Sequence, residues 1–211
     1  MDKLDAIGEQ IRKHLDKKNT ARDNALNQSR TLIRYSSMAI RAIHRNERKT
    51  AQDHIDEAGK LVRSLQQGLS DYPDLYHAGY TRDALKEYAE SCISFAIIGG
   101  DTLPHPDALG VEYAAYLGGL AETVGELRRR VLDLLRNDEI EEAERLLSIM
   151  DDVYGLLVTI DFPDAITGNL RRLNDMVRGV TERTRGDLTT SYQQRELRSA
   201  LRAVEKKLDP P

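Results

Sequence analysis

The chain has 211 residues, 31% of them charged and 40% hydrophobic, with a net charge of −4. That is enough apolar material to bury a core, which excludes a disordered tail, and the length fits one large domain before two small ones. There is no apolar run of about 18 residues, no signal-peptide core in MDKLDAIGEQ and only one cysteine, Cys92, so the sequence predicts a cytoplasmic protein with no membrane contact and no internal disulfide.

Prolines fall only at 73, 104, 106, 163, 210 and 211. Between them apolar residues recur near every 3.6 positions, and nothing alternates with period two for long. The pattern predicts an all-α fold: a single helical domain over 1–211 with about seven helices. They are placed at 2–17, 20–47, 50–70, 74–99, 108–137, 139–161 and 164–207, the last broken near Gly186. The first two join if Asn19-Thr20 is an interior pair and not a cap. Gly99 to Pro106 reads as a loop and Asp161 to Asp164 as a turn. Residues 1–71 hold 14 Lys/Arg against 10 Asp/Glu, residues 72–163 hold 7 against 18, and residues 164–211 hold 10 against 7. Basic ends around an acidic middle suit a polyanion-binding surface beside a cation-binding centre.

The second helix carries the basic signal. Segment 22–49 has seven Arg/Lys and only Asp23 and Glu47 as acids. In helical projection Arg30, Arg34, Arg41, Arg45 and Arg48 fall within about 60° of one another, a ridge roughly 27 Å long. Leu26, Ile33, Ile40 and Ile43 lie on a different face. Forked guanidinium groups in a row suit phosphate. A solvated face paired with acids of a neighbouring helix is the alternative. Tyr35 lies beside the ridge, in reach of a stacked base.

The fourth and fifth helices carry the acidic signal. Glu87 and Glu90 are spaced three apart, Glu122 and Glu126 four apart, so each pair shares a helix face. In helix 74–99, Leu85, Ala89, Cys92 and Ala96 form a core stripe, and the glutamates lie opposite with Ser94, Ile97 and Ile98. In helix 108–137, Leu117, Leu120, Val124, Leu127 and Val131 form the stripe. Glu122 and Glu126 lie opposite among Ala115, Gly118, Gly119 and Gly125. Glycine costs helix stability, so this second face is predicted to lie close against another helix or a ligand. Both helices thus read as buried on two sides with glutamates inside. Four converging carboxylates need a cation, and an all-oxygen donor set suits Mg²⁺ or Mn²⁺. That is the equipment of phosphodiester or pyrophosphate hydrolysis. Solvated pairs remain the alternative. No His lies at the third position after any of these glutamates, which disfavours a di-iron bundle. His14, His44, His54, His77 and His105 lack ligand spacing, and Cys92 reads as a core residue.

The segments Glu87-Tyr88-Ala89-Glu90, Gly119-Leu120-Ala121-Glu122-Thr123-Val124-Gly125-Glu126-Leu127 and DFPDAITGNLRRLNDMVRGVTERTRGDLT (161–189) resemble, in that order and spacing, the translin/Trax family. The likeness runs over essentially the whole chain and is stronger to the Trax branch and archaeal members. It implies an all-α fold of about seven helices, a hollow octamer, and binding of single-stranded or structured RNA. For the Trax branch it also implies a Mg²⁺-dependent endoribonuclease. The family's Glu-Tyr-x-Glu carboxylates map onto Glu87 and Glu90. Its next acid, an aspartate in Ala-Asp-x-x-Gly-Glu, is Glu122 here, which keeps the charge and moves the oxygens by about one methylene. Glu126 matches the glutamate that follows. The family's nucleic-acid-binding arginines correspond to Arg30, Arg34 and Arg41. The first functional expectation is therefore a metal-dependent endoribonuclease cleaving single-stranded or flexible RNA. The second is a non-catalytic RNA- or ssDNA-binding subunit, the third an all-α nucleoside-triphosphate pyrophosphatase, and the fourth a purely structural helical protein; in the first two the resemblance implies a homo-oligomer.

Overall fold

The computed structural model describes residues 2–208. Among these there are helices and no strands: α1 (Asp2–His44), α2 (Arg48–Gly68), α3 (Pro73–Tyr76), α4 (Gly79–Gly99), α5 (Pro106–Leu109), α6 (Tyr113–Arg136), α7 (Ile140–Val158), α8 (Asp164–Thr167) and α9 (Leu170–Leu208). The all-α expectation holds. Six helices are long and three are single turns. The two predicted N-terminal helices are one, so Asn19-Thr20 is an interior pair, with the Thr20 hydroxyl donating to the Asp16 carbonyl.

Local chemistry sets the ends. The α1 helix stops at His44 because Asn46 takes a left-handed conformation (φ 59), and the Glu47 amide reaches back to the Ala42 carbonyl at 2.9 Å. The same closure recurs at Gly100 (φ 75) after α4 and at Asp138 (φ 60) after α6. All three residue types tolerate that region. No break occurs at Gly186: α9 is continuous, and a Cβ at Gly186 would meet nothing. An exposed helical glycine costs only about 1 kcal/mol of propensity, which the packed face of α9 outweighs.

The chain forms two compact units, one of Met1–Phe95 with Leu103–Gly119 and one of Ala96–Thr102 with Leu120–Pro211. In the first unit α1 packs on α2. Buried Ala25, Ser29, Leu32, Ser36, Ala39 and Ile43 of α1 meet a face of Ala51, Ile55, Ala58, Val62 and Leu65. The tightest face of α1 is thus one of small residues that let two backbones approach. The predicted stripe of Leu26, Ile33 and Ile40 lies at its flank, half-buried. At 1.5 Å per residue, α2 spans only about half the length of α1. Gln28 to Ser64 (3.1 Å) and Lys18 to Asp74 (2.7 Å) tie α1 to its neighbours.

In the second unit α7 packs on α9, burying Leu146, Met150, Val153 and Leu157 with Val177, Thr181, Thr184 and Leu188. Three ion pairs follow this antiparallel seam: Asp138 with Arg198 (2.8 Å), Glu141 with Arg195 (3.2 Å) and Asp151 with Arg185 (2.6 Å). As one partner's number rises, the other's falls by the same amount, so the register does not slip. Pairs this exposed fix alignment more than they add stability. No helix is long and apolar enough to cross a membrane among the described residues.

Candidate metal centre and arginine face

The glutamates sit where α4 and α6 touch. Inside the first unit the two backbones meet at Gly119. A Cβ there would lie 2.7 Å from the Glu90 amide nitrogen, 2.8 Å from the Lys86 carbonyl oxygen and 2.9 Å from Ala89 Cβ. At Gly118 it would press on the Lys86 stem at 3.1 Å. The close approach read from these glycines is therefore present at two of three positions. Gly125 is the exception: nothing lies within 4 Å of its added Cβ.

The α4 helix is buried on two sides; on α6 the second face is buried at Gly118 and Gly119 and open at Gly125. On α4 the stripe of Leu85, Ala89, Cys92 and Ala96 is buried, and so are Glu90, Ser94 and Ile97 across the helix. Glu90 is only 7% exposed, while Glu87, Glu122 and Glu126 are half-buried. One carboxylate oxygen from each of Glu87, Glu90 and Glu122 lies within 4.8 Å of the others. Glu126, one turn beyond Glu122 on α6, stands outside that group of three. The donor set is all carboxylate and holds no His or Cys, which is the chemistry of a hard divalent cation. Sequence reasoning passed over Lys86, whose ammonium lies 3.5 Å from Glu87 with both side chains half-buried. Its signal was the Lys-Glu pair itself, seated against glycine.

Of the histidines, His105 serves the loop: its Nδ1 accepts from the Asp107 amide and caps α5. Burial pushes the Cys92 thiol up to about 12, and the neighbouring Tyr88 hydroxyl is also raised, chiefly by burial. At neutral pH Cys92 is thus a protonated, inert core thiol. Iodoacetamide should leave it unlabelled in native protein and label it in step with denaturant unfolding; rapid native labelling would contradict this.

Arg30, Arg34 and Arg41 are exposed along one face of α1. The ridge is shorter than the sequence projection made it. Arg45 lies in the turn after His44, and Arg48 opens α2 with its guanidinium 4.2 Å from the Phe95 ring centre. The cause is the left-handed Asn46, which ends α1 before the projection does. Three arginines share the helix face, and two more follow it exposed at the corner. Tyr35 lies beside Arg34, whose guanidinium is 5.6 Å from its ring centre, and 6.0 Å from the His54 ring.

No protein-family model matches the chain. The uncharacterized protein MJ0175 of Methanocaldococcus jannaschii is 32% identical over 194 residues, covering 91% of this chain and 86% of that protein. Among solved structures, AfC3PO superposes with a TM-score of 0.82 at 32% identity, over 89% of this chain and 97% of that one. A complex of AfC3PO with duplex RNA gives 0.81 at 31%, over 89% and 97%. The fold extends to apo-NeC3PO, with a TM-score of 0.78 at 23% identity over 90% of this chain and 98% of that one. With that identity to AfC3PO over nearly its whole length, the chain belongs to the translin/C3PO-like family of all-helical proteins.

Proposed function

We propose that this protein is a Trax-like, Mg²⁺- or Mn²⁺-dependent endoribonuclease that holds RNA along the α1 arginine face and cleaves it at the α4–α6 carboxylates. The observation that carries the reading is the convergence of Glu87, Glu90 and Glu122 to within 4.8 Å. The donor set fits the cation: oxygen only, one member buried, two half-buried, on helices held close by Gly119. Three carboxylates at this separation repel one another strongly at reduced dielectric, and a divalent cation relieves that repulsion. Bound there, such a cation supplies Lewis-acid chemistry for phosphodiester hydrolysis, acidifying water and neutralising charge on phosphate oxygens.

The chain's own residues do the rest. Glu87, Glu90 and Glu122 hold the cation and keep it fixed on two packed helices. Lys86 sets a positive charge beside Glu87 and orients that carboxylate. Arg30, Arg34 and Arg41, followed by Arg45 and Arg48, grip the RNA backbone without reading bases. Family membership favours RNA over a free nucleoside triphosphate. The AfC3PO complex with duplex RNA widens the proposed ligand class from single-stranded or flexible RNA to helical RNA. Self-association into an octamer belongs to the same reading.

The arginine part has its own test. The triple variant Arg30→Ala, Arg34→Ala, Arg41→Ala should bind RNA more weakly for all sequences alike. Its plot of log K against log salt should flatten by roughly 3 units, about one for each phosphate the protein no longer neutralises. An unchanged slope would remove these residues from the interface. The nuclease part is tested by incubating an unstructured RNA and a duplex with Mg²⁺, where cleavage that EDTA abolishes is the expected result.

A further inference from the structure

Lys86 brings a positive charge to the edge of the carboxylate group, and helix geometry alone does not put it there. Adjacent residues of a helix point about 100° apart, so Lys86 and Glu87 do not face each other by default. Their separation of 3.5 Å is also longer than the roughly 2.7–2.9 Å of a charge-assisted hydrogen bond. What makes room for the side chain is Gly118, one helical turn before Glu122. A Cβ there would lie 3.1 Å from Lys86 Cγ and 3.2 Å from its Cδ. An ordinary surface lysine carries its head out to water. This one lays its stem across a buried glycine and keeps only 23% of its side chain exposed.

The charge it carries is one the site needs. Glu87, Glu90 and Glu122 together hold one more negative charge than a divalent cation supplies, and half-buried Glu126 adds to the excess. An RNA phosphodiester brings a further negative charge to the same place. With the cation alone, the site would repel its own substrate, and at reduced dielectric that repulsion is strong.

We propose that the Lys86 ammonium, beyond orienting Glu87, contacts a non-bridging oxygen of the scissile phosphodiester, which makes Lys86 a catalytic residue. It transfers no proton. It is a preorganised positive charge aimed at phosphoryl oxygens, where negative charge gathers in the transition state. The inference rests on the nuclease reading and adds to it the group that lets an anion approach an acidic site.

The test uses two full-length variants and two readouts. Lys86→Met keeps a stem against Gly118 and removes the charge. In single turnover with saturating Mn²⁺ it should cleave an unstructured RNA about 10²-fold more slowly, the usual loss for one preorganised donor. Titrated calorimetrically with Mn²⁺ and no RNA, it should bind at least as tightly as the parent, because a positive charge beside the cation has gone. A lysine that only orients Glu87 gives the opposite sign: its loss loosens a ligand and weakens Mn²⁺ binding. Gly118→Ala moves the ammonium without altering it, since the added carbon presses on the Lys86 stem. It too should slow cleavage severalfold with Mn²⁺ affinity kept. Parental cleavage by either variant, or weaker Mn²⁺ binding by Lys86→Met, overturns the role of Lys86 and leaves the metal centre standing. A parent that binds no Mn²⁺, or cuts no RNA with it, removes the nuclease reading itself and this inference with it.

Discussion

Replacing Glu90 by Gln should lower RNA cleavage by roughly 10²-fold or more while leaving the fold and RNA affinity intact. A ligand that holds a catalytic cation contributes several kcal/mol of transition-state stabilisation, and each 1.36 kcal/mol is about tenfold in rate. Glu90 is the most demanding position because it is the buried member of the three carboxylates, 7% exposed. Gln matches its shape and removes only the charge. Removing one of three close like charges also relieves repulsion, so the melting temperature without metal should hold or rise. Single-turnover cleavage with saturating Mg²⁺ separates this from a binding defect, which the α1 arginines would cause instead. Gln variants of Glu87 and Glu122 should behave alike. Glu126→Gln should cost less, since Glu126 stands outside the group. A Glu90→Gln protein that cuts as fast as its parent would remove Glu90 from the catalytic centre, whereas a parent that binds RNA and cuts none with Mg²⁺ would be a family member that binds without turnover.

Gly119→Val should destabilise the protein by about 1–3 kcal/mol, and more if the backbone cannot shift. The first added carbon would fall 2.7 Å from the Glu90 amide nitrogen and 2.8 Å from the Lys86 carbonyl oxygen, both main-chain atoms that no rotamer change can move aside. To admit the side chain α6 must lift away from α4, which spreads the carboxylates that the two helices carry. Activity and cation affinity should therefore fall along with the denaturation midpoint. Gly125→Ala on the same helix is the control. A Cβ there meets nothing within 4 Å, so the better helix propensity of alanine should stabilise by up to about 1 kcal/mol. Equal midpoints for Gly119→Val and the parent would contradict the close approach.

Much of the architecture was legible because helices announce themselves through a 3.6-residue period and through proline. The loop from Gly100 to Pro104 and the turn before Pro163 lie where the sequence put them. What the period could not register was chain reversal by a residue other than glycine or proline. Asn46 and Asp138 close their helices by turning left-handed, and neither is distinguishable in a sequence from an interior polar residue. For that reason the arginine projection ran past the real end of α1. The error at Gly186 is the converse: a glycine in a helix held by its opposite face costs too little to break it. The glutamate site was legible through its glycines more than through its acids. Gly118 and Gly119 made sense only as a contact between backbones, and that contact is what Lys86, Ala89 and Glu90 make. Gly125, alike in sequence, has open space around it, so small residues alone do not distinguish contact from exposure. Register along a helix does: Gly119 faces α4.

The central claim is that Glu87, Glu90 and Glu122 share one divalent cation. Crystals of the protein grown with Mn²⁺ and measured at the manganese edge test it directly. The account predicts an anomalous peak bonded to oxygens of all three side chains, absent from the Glu90→Gln variant. Ordered, full-occupancy carboxylates with no manganese among them, in crystals soaked well above physiological Mn²⁺, would contradict it.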